Sequence, residues 1–326
     1  MKNKVIRNAG TSVVVLASIM GASSASATGF TLGDAANYII LYEGNGGHHL
    51  AINNFGTTGI WTGNIGIDGT GTLAASGPGT INGDVNFAAG NTGQASVSNT
   101  GFTSGHGINY NVAAVHNDMV YLNGLSSSLG ALGGTALSIN TSSDQTVLAS
   151  SGTLNGGNLL FNVTSVNSGN GENLIVKGDG SANVVMNVNT PGDAQFHGNI
   201  LLQDLTGKFF GEAGYAGLSP DQVLFNLYGG AALVGGDKLD ANDNGNAAHP
   251  ANIIYGTFLD PNGAISFVNT RFVGHIFGGD SVDMQIVSGD TLTLPPPPSV
   301  PDAASTALLA LLGLGGLVMF KKTAVA

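Results

Sequence analysis

No cysteine occurs in the 326 residues. Disulfide frameworks, thiolate nucleophiles and cysteine-ligated zinc are thereby excluded, and the fold must rest on packing and backbone hydrogen bonds. Charge is scarce too: charged residues make up 9% of the chain, against roughly 25% in an average soluble protein. Cations are scarcest. Five of the nine lysines and arginines (Lys2, Lys4, Arg7, Lys321 and Lys322) sit in the terminal segments, so residues 28–294 hold four cations against nineteen carboxylates, a balance of −15. Nucleic acid needs a basic footprint, and none exists. The chain also lacks H-E-x-x-H, a G-x-S-x-G elbow and a G-K-[ST] phosphate loop, the patterns that place a zinc ligand set, a serine nucleophile or a nucleotide. A non-enzymatic protein is expected.

What is abundant is glycine, at 52 residues, alongside 42% hydrophobic residues. Glycine without apolar rhythm would mean a flexible chain. Here the apolar residues come in short β-like bursts, so a core can form. Tyr38-Ile39-Ile40-Leu41-Tyr42 is a run of strand formers. Residues 59–67, 79–87 and 94–98 alternate apolar with small or polar residues between Gly, Asn or Asp, the signature of strands bounded by turns. Further runs fall at 146–149, 158–166, 173–176, 183–188, 199–202, 223–228, 231–234, 253–259, 265–268, 272–277 and 282–287. Spacings of roughly 10 to 20 residues suit a sandwich or a solenoid. Small residues throughout and Asn at turns favour an all-β, single-domain, right-handed β-helix-like solenoid over residues 28–294.

One segment departs from period two. Val112, Val115, Met119, Leu122, Leu125, Leu129 and Leu132 recur at steps of three and four, one face of a helix over about 111–132. Asn111 is the expected N-cap and Gly133-Gly134 the expected stop. Gly124 weakens this helix by about 1 kcal/mol relative to Ala, so packing on the β core must support it.

The termini carry addresses. Residues 1–27 join a basic start, an apolar stretch from Ala9 to Met20 and the small-residue end Ala25-Ser26-Ala27, a secretory signal peptide cut by signal peptidase. Pro295 to Pro298 form a stiff spacer within a 295–299 linker. Val300, Pro301 and Asp302 then open a polar tag, followed by an apolar helix over about 303–320 and the basic pair Lys321 and Lys322. Eighteen helical residues span about 27 Å, at the lower limit for crossing a bilayer. The two lysines would keep that end in the cytoplasm.

Candidate chemistry is sparse. Asp240, Asn242 and Asn244, followed by Gly245, match the first half of a calcium loop. The twelfth position is Ala251, where a bidentate Glu belongs, so a polar turn across 237–246 competes with a weak Ca²⁺ site. His48-His49 in a Gly-rich loop could ligate a metal or simply face solvent. Asp280 and Asp283 could serve glycoside chemistry if they shared a cleft. Ser104-Gly105-His106-Gly107 has no evident partner. Threonines such as Thr57, Thr58, Thr62, Thr70 and Thr72 could order water at ice if they formed regular ladders, but their spacing along the chain is irregular, which favours simple cross-strand pairing.

The tag Val300-Pro301-Asp302-Ala303-Ala304-Ser305-Thr306, the apolar Ala307 to Phe320 and Lys321-Lys322 resemble the PEP-CTERM family of sorting signals, in its Val-Pro-Asp variant; Asp302 and Ala303 stand where the main family has Glu-Pro. The resemblance implies an exosortase-type membrane enzyme that reads the tag and removes the helix, so that transient inner-membrane anchoring gives way to surface display. Cargo of that family is associated with exopolysaccharide and biofilm matrix. Leu32-Gly33-Asp34-Ala35-Ala36-Asn37-Tyr38, the mid-chain helix and Gly256-Thr257-Phe258-Leu259-Asp260-Pro261 with Gly278-Gly279-Asp280 are similar to choice-of-anchor A and ice-binding-like surface domains. Those imply a solenoid with a helix on its side. The expectation is a secreted, adhesive or structural matrix protein that contacts polysaccharide. The alternatives are an ice- or crystal-surface binder and a polysaccharide-acting enzyme.

Overall fold

The computed structural model describes residues 29–53, 60–168, 171–190, 192–228, 239–242, 252–279, 282–287 and 289–296. The expected signal peptide, sorting tag and apolar C-terminal helix therefore lie outside the described residues. No helix among the described residues is long and apolar enough to cross a membrane.

The strands wind into a three-sided β-solenoid whose ladders are parallel throughout, except for the hairpin strand Thr153–Asn155 laid antiparallel on 158–160 and one isolated bridge at Gln203–Phe209. Each coil crosses a first, a second and a third face. Coil 38–62, for example, places Tyr38–Tyr42, His49–Asn53 and Ile60–Thr62 on them in turn. Along the axis the coils do not follow chain order. Coils 38–62, 64–82 and 85–102 stack outward to one end. A helix, α1 (Ala113–Gly130), then returns the chain. Coils 135–148, 158–177, 183–203, 223–255, 257–273 and 276–293 wind back from the far end. The last coil closes on the first, pairing Ile40 with Ile276, Leu50 with Met284 and Thr62 with Thr293. Nine layers at about 4.8 Å make a stack of about 40 Å. Eighteen helical residues cover about 27 Å of that distance, and the segments flanking α1 supply the rest.

Alternation along each strand fills the interior with rows of apolar side chains, such as Leu50 and Ile52 on the second face. Phe225 and Phe258 stack at 4.8 Å and 9°, and Phe196, Phe267 and Phe272 close around Phe258 edge-on or tilted. The corner between third and first faces is built from glycine, because coils touch backbone to backbone there. A methyl group on Gly83 would run into the Gly63 carbonyl, and one on Gly274 into that of Gly256. These corners explain why the runs 59–67 and 79–87, which read as single strands, each break in two, at Gly63 and Gly83.

α1 buries Val115, Met119, Leu122 and Leu129 on the first face, against Leu41, Leu160, Val185, Leu224, Leu259 and Phe277. Its C-terminal half is also hydrogen-bonded down. Asn187 donates to the Leu129 carbonyl at 2.7 Å, Asn226 donates to the Ser126 carbonyl at 3.0 Å, and the Ser126 hydroxyl donates to Asn226 at 2.6 Å. The N-terminus differs from expectation. Asn111 takes a left-handed φ of 62°, a conformation Asn tolerates, and turns the chain before the helix. Val112 occupies the cap position without a side-chain hydrogen bond. The polar stretch expected as a loop is a strand where described, at Leu239–Asn242, because Leu239 and Ala241 face the core. Strands His49–Asn53 and Thr135–Thr141 escaped the sequence reading, their apolar residues being few.

Candidate functional site

The third face offers a regular surface. Its strands pair Val273 with Thr293, Thr293 with Thr62 and Thr62 with Asn82, and one step further the Thr103 hydroxyl donates to Asn82 at 2.8 Å. Two residues earlier on the same strands, Arg271 pairs with Thr291, Ile60 with Thr80 and Thr80 with Gly101. Both columns point outward. Ile60 is 53% exposed, while Trp61, Ile81 and Leu292 between the columns are buried. Their outward groups repeat at about 4.8 Å from coil to coil and about 6.6 Å along each strand. Toward the far end the columns continue through Ile253 and Tyr255 and through Thr146, Ile175 and Leu201. Arg271 is the one charged side chain in these two columns among the described residues.

The patch is braced from beneath and fenced on one side. The Trp61 indole donates to the Asp290 carbonyl at 3.1 Å. The Asp290 carboxyl accepts from the Thr270 amide and hydroxyl, and burial pushes it up to about 7. It joins the neighbouring coils at the corner before Thr291. On the far half, the loop after Asn199–Gln203 folds over the edge. Asp204 accepts from the Thr206 hydroxyl and from the amides of Thr206, Lys208 and Ala216, bonds that hold its carboxyl down at about 2, with the Thr206 hydroxyl first among them. This loop sets Phe210 edge-on against Tyr255 at 5.0 Å. The open part of the face therefore runs from Arg271 to Thr103.

The second face differs in chemistry. Its outward column passes without a break through Asn140, Asn167, Gln195, Asp240, Ser266, Gln285, Ala51, Ala74 and Ser96. Asn140, Asn167 and Gln195 put amides at one end, Asp240 adds a carboxylate, Gln285 a further amide, and Ala51, Ala74 and Ser96 make the other end small.

The residues singled out from sequence fall in several places. Thr62 lies on the third face, Thr72 beside His49 on the second, and the Thr70 hydroxyl accepts from the Gly47 amide in a turn; Thr57 and Thr58 lie outside the described residues. Of these threonines only Thr62 joins the third-face ladder, where it pairs with Thr293. Thr80, Thr291 and Thr293 were missed, although T-x-T at 291–293 was a legible signal. Asp240 and Asn242 stand in the strand Leu239–Asn242, with Asn244 outside the described residues. No group of three or more metal-ligating side chains that could hold an ion is found among the described residues. Each described histidine sits beside an aspartate: His48 and His49 on Asp283, His106 on Asp84, His116 on Asp68, His197 on Asp240 and His275 on Asp221. Asp283 also accepts the His49 amide at 2.9 Å, and Asp280 lies outside the described residues. Ala25, Ala27, Val300, Pro301, Asp302, Lys321 and Lys322 do so as well.

No family model matches the sequence, and no curated protein matches it. Among solved structures, three ice-binding proteins are similar in outline. One comes from the Antarctic ascomycete Antarctomyces psychrotrophicus, with 16% identity over 82% of this chain and 98% of that one, and a TM-score of 0.43. Another comes from an Arctic yeast, at 13% identity over 83% and 97%, with a TM-score of 0.45. A third is from an Antarctic Flavobacteriaceae bacterium, at 17% identity over 86% and 52%, with a TM-score of 0.43. Scores at this level describe outline and carry no argument about what this chain binds.

Proposed function

We propose that this chain is an exported, non-enzymatic protein whose third face docks on an ordered, repeating surface, with ice as the surface its chemistry fits best. The observation that supports this is the double column, mostly Thr, Ile, Val and Asn, that runs from Arg271 to Thr103 in register over five coils. A rigid array of hydroxyls and methyls at repeats of about 4.8 and 6.6 Å can order water between its rows. Scarcity of charge matters as much, because an ion would impose its own hydration shell. Backbone ladders pre-set the geometry, so docking orders few side chains. Thermal hysteresis measures this directly. Wild-type protein should hold ice growth below the melting point, and Thr62→Lys, which puts an ammonium in the centre of the array, should lower the hysteresis at equal concentration by several-fold. No hysteresis and no shaping of ice crystals in the wild type would refute the reading.

A second reading, contact with matrix polysaccharide, is favoured by the amide column on the second face, since Asn and Gln match sugar hydroxyls and repeats allow multivalent contact. Retention on matrix polysaccharide that survives Thr62→Lys but fails with Gln195→Ala and Gln285→Ala would support it. Export by the 1–27 segment and processing at Val300-Pro301-Asp302 belong to the same proposal, and the intact mass of the mature protein tests both.

A further inference from the structure

The two ends of the solenoid are finished differently. At the 135–148 end Thr135–Thr141 and Gln145–Leu148 each pair on one side only, but the middle of the Thr135–Thr141 outer edge is occupied. The Gln145 side chain donates to the Ser138 carbonyl and accepts from the Asn140 amide, both at 2.9 Å. It stands in for the peptide group that a further coil would offer. The core behind it is more nearly closed, with Ile139 fully buried and Val147 at 4% exposure, and Leu137 alone of its inward apolar residues half-buried.

The opposite end has no such cap among the described residues. Ala95–Phe102 pairs on one side only, with Thr72–Asn82, and Ile108–Asn109 only with Val85–Phe87. Four inward rows end there. One coil in, Leu73, Ala75, Ile81 and Val85 are at 2% exposure or less. Their partners in the last coil, Ala95, Val97, Phe102 and Ile108, are left half-buried. Tyr110 stacks on Phe87 at 5.1 Å and shields part of the first face. Residues 94–103 contain no charge and no proline, the usual devices that keep an edge strand from pairing.

We infer that this open end is an interface for a second copy of the same chain. The capped end decides the geometry. Head-to-tail stacking would need the edge groups that Gln145 occupies, whereas two open ends can meet each other. Across such a junction Ala95–Phe102 of each copy lies antiparallel to its counterpart and buries the four exposed rows. The contact is self-complementary under a two-fold axis, so it closes as a dimer and does not propagate into fibres.

The test uses the full chain in the form the cell delivers, with its intact mass known. Sedimentation over a concentration series should show the particle mass doubling. Hydrogen exchange at residues 95–102 should slow as the dimer forms. Val97→Lys, which sets an ammonium into the junction, should keep the mass at one chain and return exchange at 95–102 to the dilute value. A wild type that stays at one chain at every concentration would overturn the inference, as would a dimer in which 95–102 gain no protection. Protection at 95–102 independent of concentration would mean that another segment of the same chain covers the end, which also overturns it. The exchange experiment needs only the wild type, so it decides even if the variant does not fold.

Discussion

Replacing Asp290 with asparagine should change the pH dependence of stability more than its place in a turn suggests. The carboxyl is 2% exposed, and burial raises it to about 7 in the folded protein, against about 3.9 in an unfolded chain. A raised folded value means the native state keeps its proton while the unfolded state has lost it. Stability is therefore full below about pH 4 and falls as pH rises toward 7. Three units at about 1.4 kcal/mol each give a loss of about 4 kcal/mol across that window. Asparagine keeps the acceptor that Thr270 uses but cannot ionise. It places an amide where the second oxygen has no hydrogen-bond partner among the described residues, at a cost of about 1–3 kcal/mol. The variant should thus be less stable than wild type at pH 4 and more stable at pH 8. The difference between the two stability curves should shift by about 4 kcal/mol over the range, or roughly 10 °C in Tm for a domain of this size. Thermal melts of both proteins from pH 4 to 8 measure it. Parallel curves would refute the reasoning, because the histidine–aspartate pairs are common to both proteins and cancel in the comparison.

Gly124→Ala on α1 meets open space and should stabilise by about 1 kcal/mol, a Tm rise of about 2–4 °C; no change would mean that helix propensity is not limiting. Asn226→Ala leaves the buried Ser126 hydroxyl and Asn187 carbonyl oxygen without their partner and should cost about 3 kcal/mol, seen as a lower urea midpoint at constant slope. Phe258→Ala opens the aromatic stack at its centre and should cost about 3–5 kcal/mol; a smaller loss would show that the core collapses around the gap.

Much of the architecture was legible because it rests on local patterns. Short apolar runs marked 173–176, 183–188 and 265–268 as strands, and the three-four spacing from Val112 to Leu132 marked the face of α1 that is buried. Turns into and out of elements were harder. Asn111 has the side chain of a cap, but its left-handed backbone puts it one step outside the helix. The site was the least legible part. A face gathers residues from coils that neighbour one another in space without following chain order, so Thr62 gains its meaning from Thr293 near the other end of the solenoid domain. Along the sequence those threonines are simply irregular. The histidine–aspartate pairs were hidden for the same reason, as with His48 and Asp283 on coils that are neighbours in space and far apart in the chain.

What decides the function is whether the third face, rather than the protein at large, engages ice. Slow growth of a single ice crystal from a solution of labelled protein measures this as the fraction of protein taken into the ice. Wild-type protein should be concentrated into the crystal on defined planes, and Thr62→Lys with an unchanged melting temperature should be left in the liquid. Uptake of both proteins alike, or exclusion of both, would contradict the assignment of the third face as the binding surface.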